Sequence, residues 1–229
     1  MSQPRTRRLP IIAIDGPAGA GKTTTAKEVA RRLNFLHLDT GAMYRAVALK
    51  VLRSGIPLNR SDAIAAIADR TDVRLQYQNG NQRVLLDGED VTDQLRSAEV
   101  TQAVTPVCEI PAVRGKMVQL QRRTGERGGV VAEGRDIGTV VFPDAELKIF
   151  MVADLEERAK RRLLEIQRAG GRADLSEIIE SIRERDRRDE QREDSPLQKA
   201  EDAVTLDTTF MSISEQVEEI LRLFRAYEA

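Results

Sequence analysis

Short apolar runs alternate with longer amphipathic stretches along most of the chain. Each apolar run is apolar at consecutive positions, which is typical of parallel strands buried on both faces. The runs lie at residues 9–15, 35–39, 129–132, 146–151 and 203–207. The amphipathic stretches predict helices at residues 22–33, 42–54, 61–70, 111–123, 155–169, 174–194 and 212–226. This alternation predicts an α/β fold in which a parallel five-stranded sheet carries helices on both faces.

One segment, residues 73–91, interrupts this alternation. It contains short strand-like stretches separated by two turn dipeptides, Asn79-Gly80 and Asp87-Gly88. Both dipeptides favour the tight turns that join antiparallel strands, because their residues tolerate positive φ angles. The sequence therefore predicts a small antiparallel β insert within the α/β fold.

The composition excludes several classes of function. The 229 residues carry 36 Lys and Arg against 37 Asp and Glu, which gives a formal net charge of -1. A general binder of nucleic-acid polymers or of membrane surfaces is normally basic, so we expect neither kind of partner. A local basic pocket for a small anion remains possible.

No stretch approaches the roughly 18 apolar residues of a membrane span, and no heptad repeat is present. We therefore expect a cytoplasmic monomer.

The chain has one cysteine, Cys108, and one histidine, His37. An internal disulfide is therefore impossible, and no zinc cluster of the usual His and Cys ligands can form. We interpret Cys108 as a small, half-buried residue without a catalytic role. His37 lies within a strand-like run, so we interpret it as structural.

Residues 16–23 match the phosphate-binding pattern G-x-x-x-x-G-K-[ST]. A predicted strand precedes them and a predicted helix follows, which argues against an ordinary glycine-rich turn. Glycines allow backbone N–H groups to converge on an anion, and the helix dipole adds to the attraction. Lys22 is placed to reach the β- and γ-phosphates, and the Thr23 hydroxyl to hold Mg²⁺. The predicted loop site consists of Gly16, Pro17, Ala18, Gly19, Ala20, Gly21, Lys22, Thr23 and Thr24.

Two other predicted strands also end in polar residues. Because the carboxyl ends of parallel strands share one edge of the sheet, we expect Thr40 to face the same cleft as Lys22. An ordinary helix start with an Asp or Thr cap would also explain residues 39–45. After the third strand, Arg135 can grip a phosphate with its planar guanidinium. Asp136 can accept hydrogen bonds from an exocyclic amine or orient neighbouring arginines.

Two charged helices are candidates for a phosphate cradle. Arg185, Arg188, Asp189 and Arg192 share one face of a helix, because they lie at positions i, i+3, i+4 and i+7. Arg158 and Arg162 lie four residues apart on the preceding helix and could reach a phosphoryl group together. A solvated helix face is an equally good explanation for each set.

Several of these segments together identify a family that the chain resembles. The matching stretches are residues 14–23, 39–45, 134–143, 148–150, 185–189 and 206–208, and they run in the order found in bacterial cytidylate kinases. The chain resembles this family over almost its whole length, and the insert at 73–91 is similar to the one that marks the bacterial branch.

The resemblance implies ATP-dependent phosphorylation of CMP and dCMP with Mg²⁺. It implies a CMP site formed by Thr40, Arg45, Thr105, Arg114, Arg135, Asp136, Arg185, Asp189 and Arg192. Arg158 and Arg162 would join the loop residues in binding ATP. Lys22, Arg135, Arg162 and Arg185 would stabilise the charge of the moving phosphoryl group.

The resemblance also implies a division of the chain. Residues 9–40, 108–153 and 196–229 would form the core, residues 41–107 the insert that binds the nucleoside monophosphate, and residues 154–195 a helical lid. Two alternatives stay open. One is another small-molecule kinase with a phosphate loop, of the adenylate, shikimate or gluconate type. The other is a nucleotide-dependent regulator without transfer activity.

Overall fold

A computed structural model describes residues 8–78, 81–168 and 170–228. The strands are β1 (Ile11–Asp15), β2 (Leu36–Asp39), β3 (Val73–Gln78), β4 (Asn81–Leu86), β5 (Glu89–Asp90), β6 (Val130–Gly134), β7 (Leu147–Val152) and β8 (Val204–Asp207). The helices are α1 (Lys22–Leu33), α2 (Thr40–Arg53), α3 (Ser61–Arg70), α4 (Ala98–Cys108), α5 (Pro111–Thr124), α6 (Leu155–Arg168), α7 (Leu175–Gln191) and α8 (Ile213–Glu228). None of the helices in this part of the chain is long and apolar enough to cross a membrane.

Five strands form a central parallel sheet in the order β2-β6-β1-β7-β8. The middle strand β1 pairs with β6, where Asp15 lies opposite Gly134, and with β7, where Asp15 lies opposite Phe150. The predicted parallel five-stranded sheet is confirmed. The carboxyl ends of β1, β2 and β6 therefore meet at one edge, where the phosphate loop begins.

Both faces of the sheet are buried against helices, as predicted. On one face, Ile11 and Ala13 pack in a core that includes side chains of α2, α4 and α5. On the other face, Ile12 and Ile14 pack in a second core with side chains of α1 and α8. Successive residues of β1 thus enter opposite cores, which explains why the strand is apolar at every position.

The antiparallel insert is confirmed as a three-stranded sheet in the order β3-β4-β5. Asp87 and Gly88 form the turn before β5 with φ angles of 51° and 88°. Positive φ at both positions is typical of the predicted hairpin turn. The other predicted turn, Asn79-Gly80, lies outside the described residues. Inward side chains of the insert, such as Val73 and Leu86, join the same core as α2.

Helix α4 was not predicted. Its segment is rich in β-branched residues and contains Pro106 within its last turn, all of which lower helix propensity. The Ser97 side chain nevertheless caps it by accepting a hydrogen bond from the Val100 N–H at 3.3 Å. Its buried face, Val100, Ala103, Val104 and Val107, has the i, i+3, i+4, i+7 spacing of an amphipathic helix.

Helices α6 and α7 form a hairpin with an apolar cluster of its own, built around Ala159, Ile178 and Ile182. Residue 169, the predicted last residue of the first of these helices, lies outside the described residues. The hairpin falls within the segment that the sequence assigns to a lid. The division of the chain into core, insert and lid stays a prediction.

Candidate active site

The phosphate loop leaves the carboxyl end of β1 in a backbone conformation that requires glycine. Gly16 has φ 146°, and a Cβ atom there would lie 2.1 Å from the Met151 carbonyl oxygen. Gly21 has φ 92° and precedes the first residue of α1. Side chains at these positions would be strained or would clash, so the loop can keep its N–H groups together only with glycine.

Lys22 is almost completely buried beneath this loop. Its side chain is in the first turn of α1, and its Nζ donates a hydrogen bond to the Pro17 carbonyl at 2.6 Å. Burial holds the pKa of Lys22 well below its usual range, and the neighbouring Arg135 guanidinium lowers it further. A phosphate anion would offset both effects.

Thr23 connects the loop to the ends of β6 and β2. Its hydroxyl donates to Oε2 of Glu133 at 2.8 Å, and Nε2 of His37 lies 3.0 Å from Oε1 of the same carboxylate. The Thr40 hydroxyl donates to the Glu133 backbone carbonyl at 2.7 Å. The structure thus brings Thr23 and Thr40 together at Glu133. Thr24, by contrast, is exposed on α1.

Glu133 was not among the predicted site residues. The available signal was its position at the carboxyl end of a buried strand, beside Arg135 and Asp136. It is only 4% exposed and both of its oxygens are engaged.

Asp15 is a second buried carboxylate that the sequence analysis did not select. Its two oxygens accept hydrogen bonds from the Ile137 N–H at 2.8 Å and the Gly138 N–H at 2.7 Å. These residues begin a π-helical turn, Ile137–Val141. Burial raises the pKa of Asp15 to about 6, although the two N–H groups act against this rise. Asp15 therefore fixes the loop that carries Arg135 and Asp136 against the base of the phosphate loop.

The end of β6 and helix α7 meet through an ion-pair network. Nε of Arg135 donates to Oδ2 of Asp189 at 2.8 Å. Arg192 approaches the other oxygen of Asp189 at 3.7 Å and donates to the Ser195 carbonyl at 2.6 Å. Three of the predicted site residues are thereby joined, although Arg135 lies 54 positions from Asp189 in sequence.

Arg45 and Arg185 are half-buried and form no hydrogen bond or ion pair with any residue that the structure describes. Burial lowers the pKa of Arg185 to about 10, with a further contribution from Arg135. Burial also lowers the pKa of Arg45, and Arg135 adds to that effect. Arg135 thus lies close enough to Lys22, Arg45 and Arg185 for its positive charge to lower their pKa values, and an anionic ligand would relieve this repulsion.

Arg114 and Asp136 form a buried ion pair on the insert side of the site. The Arg114 guanidinium lies over the ring of Tyr44, 5.6 Å from its centroid, and donates to the Cys108 carbonyl at 3.3 Å. Burial raises the pKa of Asp136, with Arg114 opposing the shift. Thr105 is half-buried on α4, one turn before Cys108.

The two arginines predicted on α6 lie in different surroundings. Arg158 is buried and donates to the Ala18 carbonyl of the phosphate loop at 3.1 Å. The Arg162 side chain is 44% exposed, and its hydrogen bond within the described residues goes to Glu165 at 2.9 Å. Its role in catalysis and ATP binding stays a prediction.

The predicted arginine stripe is divided between two surfaces, and Arg192 lies just beyond α7, which ends at Gln191. Arg185 and Arg192 lie on the side of Asp189, whereas Arg188 forms two hydrogen bonds with the Glu109 carboxylate, at 2.8 and 2.6 Å. The sequence spacing could not distinguish these two environments.

Comparison with known proteins finds similarity to cytidylate kinases over most of the chain. A family model described as cytidylate kinase matches residues 12–226. The cytidylate kinase of Desulfitobacterium hafniense is 52% identical over 213 residues, covering 93% of this chain and 91% of that protein. The cytidylate kinase of Pseudomonas aeruginosa is 48% identical over 216 residues, covering 93% and 94%.

Among solved structures, a gluconokinase from Sinorhizobium meliloti aligns with a TM-score of 0.50 and 16% identity, covering 97% of this chain and 96% of that one. At this identity the likeness shows the fold alone. The match to the family model and the identity to curated relatives establish more than a shared fold: the chain belongs to the cytidylate kinase family.

Proposed function

We propose that this protein transfers the terminal phosphoryl group of ATP to CMP and dCMP, which yields ADP with CDP or dCDP. The observation that carries the proposal is the convergence of three cations, Lys22, Arg135 and Arg185, between the phosphate loop and α7. Arg135 and Arg185 lower the pKa of Lys22, and Arg135 lowers the pKa of Arg185, although burial already disfavours the charged forms of Lys22 and Arg185. Such an arrangement is stabilised when phosphate groups of two nucleotides enter it.

On the donor side, the triphosphate of ATP would bind the N–H groups of the phosphate loop and the amino end of α1. Lys22 already lies under the loop, with its ammonium group held by the Pro17 carbonyl. It would exchange this contact for phosphate oxygens as the negative charge shifts during transfer.

The residues at the loop fit a magnesium ion bound mainly by its nucleotide. In the described part of the chain, no three His, Cys, Asp or Glu side chains converge as a metal cluster. Mg²⁺ commonly keeps several waters and uses one or two protein oxygens together with phosphates. The Thr23 hydroxyl would supply such an oxygen, because its hydrogen bond to Glu133 directs its proton away and leaves its lone pairs available. The ion would neutralise charge on the transferring phosphoryl group.

On the acceptor side, Arg45, Arg135 and Arg185 would bind the phosphate of CMP or dCMP. Asp189 and Arg192 would bind the sugar hydroxyls. The base would bind beside Arg114, Asp136 and Thr105, where the Asp136 carboxylate can accept a hydrogen bond from the exocyclic amine of cytosine. Residues of α2, α4, α5 and α7, together with those that directly follow β6 and α7, thus contribute to one acceptor site.

Phosphoryl transfer requires accurate positioning and electrostatic stabilisation more than covalent chemistry by the protein. We therefore infer that no covalent intermediate forms and that no general base is essential. Closure of the α6–α7 hairpin and of the insert would exclude water, which would otherwise accept the phosphoryl group. A cytoplasmic location and a monomeric state remain our predictions.

An ADP-release assay with ATP and Mg²⁺ tests this function. The candidate acceptors are CMP, dCMP, UMP, AMP, shikimate and gluconate, and a reaction without acceptor measures hydrolysis by water. We expect rapid ADP release with CMP and dCMP and little with shikimate or gluconate. ADP release that is unaffected by every acceptor would overturn the proposal and favour a nucleotide-dependent regulator.

A further inference from the structure

Helix α7 is held at two neighbouring points by ion pairs to two different parts of the molecule. Asp186 pairs with Arg158 of α6, next to the phosphate loop, at 2.5 Å. Arg188, two residues later, pairs with Glu109 at the junction of α4 and α5. The same helix carries Arg185 and Asp189 of the acceptor site, and Arg192 directly follows its last residue. Helix α7 is therefore linked through Arg158 to the phosphate loop and through Glu109 to the junction of α4 and α5.

The Arg158 guanidinium is the junction on the donor side. Its Nε donates to the Ala153 carbonyl at 2.9 Å, and one terminal nitrogen donates both to the Ala18 carbonyl and to Oδ2 of Asp186. The backbone also packs closely here, because a Cβ atom at Gly19 would lie 3.1 Å from the Arg158 Cβ. One buried side chain thus touches the turn after β7, the phosphate loop and α7.

Asp186 lies between this junction and the acceptor arginines. It directly follows Arg185 in sequence, and its Oδ1 is buried without a hydrogen-bond partner among the described residues. Burial would lower the pKa of Arg135, but Asp189 and, less strongly, Asp186 raise it. The Asp186 carboxylate therefore interacts with Arg158 on the donor side and with Arg135 on the acceptor side. It was not among the predicted site residues.

We propose that the Arg158–Asp186 pair is a positioning link through which a filled donor site raises the affinity of the acceptor site. This inference rests on the proposed function, since it requires that the protein bind two nucleotides. A nucleotide on the phosphate loop fixes the Ala18 carbonyl and with it Arg158. Arg158 then holds Asp186, so that Arg185 is already in place when CMP arrives.

The physical basis of this coupling is the entropic cost of ordering the side chains of the acceptor site. A binding site whose side chains are already fixed loses less conformational entropy when its ligand binds. By linkage, the same pair makes a bound CMP raise the affinity for the donor nucleotide by an equal factor.

Calorimetric titration of CMP tests the link directly. CMP is titrated into the protein alone and into protein saturated with Mg²⁺ and a non-hydrolysable ATP analogue, and the ratio of the two Kd values is the coupling factor. For the unsubstituted protein we expect a ratio of about 5 or more, in the range usual for coupled sites. In Asp186→Asn the ratio falls below about 2, since a neutral amide holds Arg158 less strongly than a carboxylate does.

The matched control is Glu109→Gln. It removes an ion pair of the same helix, but one that joins α7 to the junction of α4 and α5 and not to the phosphate loop. We expect it to weaken CMP binding in both titrations by a similar factor and so to leave the coupling ratio unchanged. A loss of coupling in this variant equal to that in Asp186→Asn would overturn the proposal, because the effect would then reflect general loosening of α7.

A second variant covers the case in which Asp186→Asn does not fold, as judged by its thermal melt. Arg158→Lys keeps the positive charge but cannot reach both the Ala18 carbonyl and Asp186, and it should lower the ratio in the same way. An unchanged ratio in either folded variant, or a ratio near 1 in the unsubstituted protein, would overturn the link while leaving phosphoryl transfer to CMP intact. Failure to bind CMP under any condition would instead overturn the proposed function.

Discussion

Lys22 is a cation held in place before any phosphate binds. Its burial and its bond to a carbonyl of its own loop keep the ammonium group where a triphosphate would lie. A lysine is flexible in water, and holding it here removes the need to order it during the reaction. At the scale of single residues, the site therefore holds positive charge in place for an anionic ligand to neutralise.

We predict that Lys22→Ala lowers kcat by about 10²–10⁴, the scale expected when a group that stabilises developing charge is lost. Steady-state kinetics with ATP and CMP measures this change. Lys27→Ala is the matched control, because Lys27 lies on the same helix and is exposed. A kcat close to that of the unsubstituted protein would contradict the role of Lys22.

The Asp15 carboxyl should give the stability of the protein a recognisable pH dependence. Its pKa is raised from 3.8 to about 6 because the group is buried, so the folded state binds the proton more tightly than the unfolded state does. The stabilisation is complete below about pH 4 and is lost as the pH rises through about 6. A shift of this size corresponds to about 3 kcal/mol.

Asp15→Asn should remove this dependence. Between about pH 4 and pH 7, the free energy of unfolding of the unsubstituted protein should fall by up to about 3 kcal/mol relative to that of the variant. Urea denaturation across this pH range measures the difference. A constant difference between the two proteins would show that the carboxyl titrates normally.

At the scale of secondary-structure elements, local pattern predicted most of the architecture. The five parallel strands follow from their apolar runs. The last helix begins with a capping pair, in which Glu215 accepts a hydrogen bond from the Ser212 N–H at 2.7 Å. Helix α4 is the exception, since its β-branched residues and Pro106 lower the helix propensity of its segment. Its buried positions follow a helical period that a count of spacings would have found.

The parts of the site that the sequence did not predict depend on contacts between distant segments. Glu133 meets Thr23 across 110 positions, and Arg188 meets Glu109 across 79. Spacing on one helix could place Arg185, Arg188 and Arg192 on a common face, but it could not show that Arg188 pairs with Glu109 between α4 and α5. Such pairings follow from how helices pack on the sheet and leave no local pattern in the sequence.

For helix α7, we predict that Asp189→Ala lowers turnover of CMP by about 10- to 100-fold, the effect of losing a hydrogen bond to a charged group. ATP affinity should stay unchanged, because Asp189 contacts Arg135 and Arg192 and not the phosphate loop. Kinetics for the acceptor and calorimetry for ATP separate the two effects. Since the substitution leaves Arg135 unpaired, a thermal melt must first show that the variant is folded. An equal loss of ATP affinity would argue against an acceptor-side role.

At the scale of the whole molecule, the two apolar cores hold the two sides of the site in a fixed relation. Helix α1, which begins at Lys22, packs in the core on one face of the sheet, whereas α2, α4 and α5 pack in the core on the other. The strand ends between them carry Asp15, Glu133 and Arg135. The sheet thus sets the distance between donor and acceptor sites, and α7 closes one side.

Calorimetric titration with a bisubstrate analogue, in which cytidine and adenosine are joined through five phosphates, tests whether two nucleotides meet in this single site. We expect one analogue to bind per chain, about 10²–10⁴ times more tightly than ATP or CMP alone, because one molecule would occupy both sites at once. An affinity no greater than that of ATP alone would show that the acceptor arginines and the phosphate loop do not serve one reaction.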